Sequence, residues 1–223
     1  MLKPKRKITK KEIKQDPLLE TINELQHKYV EYKPWIIRIG AAVLVLIVVI
    51  IFMQNLSSAK HLESESAFGR ALVAYEIGDE ENAKFQFEVL AEEYNSLDNG
   101  KISHYYLGKI GFDNHDYEIA EQELNTFVNS NKGKLLQKNA HMMLSEIYGE
   151  KGETKKTEGH LKKAVKQSSN KTDKFSAELS LAGFYLKNEQ TGQAISLIHA
   201  ILASKDLPYN IKKQAEELSG KID

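Results

Sequence analysis

The chain has 223 residues, 41% apolar and 28% charged, which suits an ordinary folded protein with room for one or two domains. It has no cysteine, so a disulfide framework, a cysteine nucleophile, thiolate metal sites and a lipidated N-terminal cysteine are all excluded. The net charge is zero, but residues 1–38 carry ten Lys or Arg against five Asp or Glu, and the remainder 21 against 26. A mildly acidic main part would repel phosphate, which argues against a nucleic-acid partner.

Residues 1–16, MLKPKRKITKKEIKQD, read as a basic cytoplasmic tail whose charge acts either as a topology signal beside anionic lipid or on a specific partner. In residues 17–33, Asp16 suits an N-cap and Pro17 the first helical turn. Leu18, Leu19, Ile22, Leu25 and Tyr29 share one face there, which predicts an amphipathic helix lying on the membrane or against a partner.

Residues 34–54 contain the run from Trp35 to Met53, apolar except for Arg38. Nineteen helical residues span roughly 28 Å, close to a bilayer core. Arg38 can snorkel to the headgroups and Trp35 suits the interface, whereas a buried core helix would need a polar face that this run lacks. Ten basic residues precede the span's apolar core, and only Lys60 and Arg70 follow within about 20 residues, so the positive-inside rule puts the N-terminus in the cytoplasm and everything beyond the span outside it. The long basic front disfavours a cleaved signal peptide and fits an uncleaved signal-anchor. A linker is expected over 55–62.

Aligning residues 63–223 against themselves gives a period of 37. Ala71, Gly108, Ser145 and Ala182 fall in register. Twelve places on stand Ala83, Ala120, Thr157 and Ala194, then Phe87, Leu124, Leu161 and Ile198, then Leu90, Phe127, Ala164 and Ile201. A small residue followed at fixed distances by another small and two larger apolar ones is the signature of paired helices that pack closely. The joints EIGDEENA, DNHDYEIA, EKGETKKT and KNEQTGQA are polar and turn-forming, and no strand-like alternation of useful length occurs. The expected fold is all-α: a single transmembrane helix, then an α-solenoid of four helix pairs, with PYNIKKQAEELSGKI from Pro208 as a capping helix.

The segment LGKIGFDNHDYEIAEQEL resembles a tetratricopeptide repeat, with Leu107, Gly108, Asp116, Tyr117, Ala120 and Leu124 in that pattern's places. It departs in its period of 37 instead of 34, in Thr157 where Ala is usual, and in lacking a closing proline in most repeats. The whole arrangement, from about Pro34 onward, resembles a family of single-pass bacterial inner-membrane proteins that includes the ancillary subunit of the Sec translocon, which implies a cytoplasmic N-terminus and a periplasmic C-terminal domain. That resemblance implies a non-catalytic scaffold with protein partners such as the translocon and periplasmic chaperones. The alternative within the same class is a subunit or assembly factor of another envelope complex, such as cell-division or outer-membrane machinery.

No catalytic motif appears. GEKGETKKT lacks the ending of a phosphate-binding loop, no GxSxG occurs, and no cofactor, metal or small-molecule substrate is expected. His104 and His141 fall 37 apart, where a packing aromatic is usual, and have no HExxH or close carboxylate to suggest a metal.

In such solenoids the first helix of each pair lines the concave face. Its expected exposed positions are Phe68, Leu72 and Tyr75, then Tyr105, Tyr106, Lys109 and Asp113, then Met142, Met143, Glu146 and Glu150, then Leu179, Leu186 and Lys187. Tyrosines beside methionines make a soft strip able to hold an extended peptide or an apolar helix. The competing reading is that these side chains only fill the inside of a tight superhelix.

Overall fold

A computed structural model describes residues 17–222, so the basic tail and the capping role expected of Asp16 lie outside the described residues, as do the side chains of Leu18 and Leu19. The described residues form nine α-helices and no strand. The first, α1 (Pro17–Glu76), is one 60-residue helix, so the expected linker over 55–62 is helical and no break separates the amphipathic, apolar and repeat-forming stretches. The reason lies in the chain: between Gly40 and Gly69 there is neither glycine nor proline, and Leu, Ala, Lys and Glu carry helix across Ser57 and Ser58. Pro34 lies inside the helix, where its missing N–H costs one ladder bond.

The chain divides into two compact units, one ending at Ala59 and one from Lys60. In the first, every side chain described is exposed, and the most apolar 18-residue window has a mean hydropathy of 3.0. Among the described residues this helix alone is long and apolar enough to cross a membrane.

The second unit is the solenoid. The end of α1 pairs with α2 (Glu80–Glu93), α3 (Asp98–Asp113) with α4 (Tyr117–Asn129), α5 (Lys134–Glu150) with α6 (Thr154–Lys166), and α7 (Lys171–Lys187) with α8 (Thr191–Leu202); α9 (Tyr209–Ser219) follows. All sixteen register positions are buried. At Gly108 the cause is direct: a Cβ there would lie 2.6 Å from Leu124 Cγ and 3.0 Å from the Leu124 nitrogen, so only a bare Cα lets α3 and α4 cross this closely.

The turns inside the pairs repeat as strictly as the core. Gly78, His115, Gly152 and Glu189, each 37 apart, all take left-handed backbone, with φ of 81°, 63°, 70° and 60°. After each, an amide reaches back five residues: Asp79 to Ala74 (2.9 Å), Asp116 to Gly111 (2.8 Å), Glu153 to Tyr148 (2.8 Å) and Gln190 to Tyr185 (2.8 Å). This is the Schellman closure, which satisfies a carbonyl that the helix end would leave open. Asp116 then caps α4, its Oδ1 accepting from the Ile119 amide at 3.3 Å. At the C-terminal end Ile211 and Ala215 of α9 close over Phe175, Leu179 and Ile201.

Candidate functional site

The structure assembles one aromatic patch from the first two pairs. Phe68 and Tyr75 of α1 and Tyr106 of α3 gather around the buried Phe87 of α2. The Tyr106 ring stacks on Phe87 with centroids 4.8 Å apart, and meets Phe68 at 5.9 Å and Tyr75 at 5.5 Å edge-on. Leu72 packs against the same cluster. The four outer side chains, Phe68, Leu72, Tyr75 and Tyr106, are half-buried, each anchored in the core with one edge in solvent.

Lys109 lies beside them, its Nζ 5.7 Å from the Tyr75 ring and 2.6 Å from Asp113 Oδ2. Burial alone would lower the Lys109 ammonium, but its hydrogen bonds to Asp113 and Tyr75 outweigh burial and hold it above its ordinary value. A charge fixed this way next to aromatic edges can orient a carbonyl or carboxylate on a bound chain.

The rest of the expected strip is divided. Tyr105 and Leu179, expected on the open face, are buried: Tyr105 is wedged between Tyr106 and Phe127, each 5.3 Å away, and Leu179 lies under α9. A helix of this solenoid is covered on two sides, by its own partner and by the neighbouring pair, which leaves a narrower open sector than repeat spacing alone implies. Burial also raises the Tyr105 hydroxyl above the ordinary tyrosine range. Met142 packs toward the fourth pair with Leu161 and Tyr185, and Leu186 joins that cluster, while Met143 packs toward the second pair. Asp113, Glu146, Glu150 and Lys187 are exposed.

On the second helices the structure shows contacts that the sequence reading did not pick out. Tyr148 of α5 donates to Glu121 Oε1 of α4 at 2.8 Å and accepts from Asn125 Nδ2 at 3.1 Å; Lys151 also pairs with Glu121. One repeat on, Tyr185 donates to Glu158 Oε1 at 3.0 Å. Both residue types recur at 37, so the signal was present as Tyr148 with Tyr185 and Glu121 with Glu158.

The histidines also pair by register, each with the residue 19 places on and not with one another. His104 Nδ1 lies 2.6 Å from Glu123 Oε2, and His141 Nδ1 lies 3.1 Å from His160 Nδ1. The second pair is buried. Desolvation first, then the charges of His160 and Lys163 for His141 and those of Lys163 and Lys156 for His160, push both down to about 4. Both rings are therefore neutral near pH 7, one donating a proton to the other. Among the described residues no three His, Cys, Asp or Glu side chains converge as a metal ion would require.

Four stacked helix pairs with a half-exposed aromatic face define an α-solenoid of the protein-binding kind. The model of the tetratricopeptide repeat-like domain family matches residues 27–156, more than half of the chain, and the chain belongs to that family. No curated protein matches it. A solved structure described as a MamA RS-1 ArsTM double mutant is similar at 16% identity and a TM-score of 0.49, over 72% of this chain and 77% of that one. At that level the likeness adds nothing to the family assignment.

Proposed function

We propose that the protein is a non-catalytic, membrane-anchored scaffold that holds protein partners on the far side of the bacterial inner membrane, next to the translocon exit. The aromatic patch of Phe68, Leu72, Tyr75 and Tyr106 beside Lys109 carries the reading, because large half-buried rings with a fixed charge at their edge are the anchors that protein interfaces use. Anchoring is supported by the apolar stretch of α1 and by the basic excess before it, which orients the N-terminus toward the cytoplasm. The translocon and its chaperones are favoured as partners by the resemblance of the whole arrangement to the ancillary subunit's family.

Affinity purification of the full chain in mild detergent tests the partner. Translocon or chaperone components should copurify, and replacing Tyr106 with Glu should release them. Their absence beside a different stable envelope complex would transfer the role to that complex. A reporter active only outside the cytoplasm, fused after Asp223, should be active; silence would reverse the orientation.

A further inference from the structure

The two ends of the solenoid are unlike. The C-terminal end is closed by α9. At the other end the outward face of α1 is bare: Leu62 is 69% exposed, Val73 59% and Ile77 73%. Elsewhere this face is covered. Ile110 and Ile147, one and two repeats on from Val73, are 3% and 0% exposed and pack on the second helix of the pair before them. Among the described residues pair one has no such helix, and solenoid ends without a polar cap expose apolar surface that water disfavours.

From the bare face we infer that α1 forms a parallel seam with α1 of a second copy of this chain. Over Leu62–Ile77 the helix reads as two heptads, with Leu62 and Gly69 at d and Ser66 and Val73 at a. Ser64, Ala67, Phe68, Ala71, Ala74 and Tyr75, the b, c and f positions, are the ones buried or half-buried in their own repeat. The a, d, e and g positions are exposed, except for half-buried Leu72.

Charge supports a second copy as the occupant. In a parallel pair each g residue meets the partner's e residue five places later, which sets Glu65 against Arg70 and Leu72 against Ile77. The parallel direction follows from the anchoring reading, because two copies that cross one bilayer in the same orientation run side by side. Arg70 directs one N–H to Ser66 Oγ at 2.9 Å along the seam and has no carboxylate partner in its own chain among the described residues, so its remaining donors are available. Nothing lies within 4 Å of where a Gly69 side chain would begin, so the backbones can approach closely there. Glu76 at the next d position ends the seam.

Two heptads are short for a free coiled coil, so the seam's strength rests on the anchoring reading: two copies confined to one bilayer meet at high effective concentration. Cross-linking in native membranes tests this, because the chain has no cysteine of its own. Single cysteines at Leu62→Cys and Val73→Cys should form disulfide-linked dimers on mild oxidation, and Phe85→Cys, equally exposed on α2, should not. Glu65→Arg or Arg70→Glu added to Val73→Cys should cut the dimer about fivefold, and the two together should restore it. No dimer at the seam positions, equal yield at Phe85→Cys, or cross-linking only to another protein would overturn the proposal, as would charge reversals without effect. Alkaline extraction of the same membranes reports anchoring separately: seam cross-links in an extractable protein would retain the dimer and remove the anchor.

Discussion

Pairs two and three share one architecture and one register, yet they are held together differently. In pair two, Gly108 brings α3 against Leu124 with no room for a methyl group, and the crossing is apolar. In pair three the same place holds Ser145, whose Oγ donates to the Met142 carbonyl at 2.6 Å; Thr157 replaces Ala120, and the His141–His160 pair is buried between the helices. The repeat thus dictates where helices cross, while local side chains decide whether the crossing is dry and tight or polar and sensitive to protons.

The largest effect should come from crowding the tight crossing. Gly108→Val should cost about 3 kcal/mol of stability by overpacking against Leu124, read as a lowered unfolding temperature of the full-length protein in detergent. Ser145→Ala, at the equivalent place, should stay within about 1 kcal/mol of wild type. Equal losses at the two positions would erase the distinction.

Acid should act mainly on pair three. His141 and His160 have folded values near 4, below the ordinary value of 6.5, so the unfolded chain binds more protons between those limits. Their stabilisation is complete above pH 6.5 and is lost as pH falls toward 4. By pH 5 one histidine of the pair should account for about 2 kcal/mol. Hydrogen exchange should show α5 and α6 opening before α3 and α4, and His160→Leu should flatten that part of the pH profile. A profile unchanged by that substitution would show that the pair does not set it.

Smaller effects test the links and turns. Tyr148→Phe removes the bonds to Glu121 and Asn125 between pairs two and three and should cost about 1 kcal/mol. Tyr185→Phe removes only the bond to Glu158 one repeat on and should cost less, the difference reporting the Asn125 bond. His115→Gly should add up to about 1 kcal/mol, because φ of 63° suits glycine and the same turn position in pairs one and three already holds it.

Much of this was legible in the residues. A 37-residue period carried by sixteen small and apolar side chains is a long-range regularity that no single propensity can mask, so the helix pairs and their crossings could be read from it. The linker expected over 55–62 is helical, because a stretch without glycine or proline propagates helix through it. Tyr105 was misplaced because its burial depends on Phe127 of the neighbouring helix and on the pair that follows, which spacing within one helix does not report. The histidine pair depends on a separation of 19, a number that emerges only once the two helices are folded against one another.

The central claim is that the aromatic patch on pairs one and two is where a protein partner sits. Site-specific photo-crosslinking in living cells tests it most directly. A photoreactive residue at Tyr106 should capture a translocon or chaperone component, while the same residue at Phe85, exposed on α2, should capture little. Equal capture at both positions, or none at Tyr106 beside strong capture at Phe85, would contradict the account.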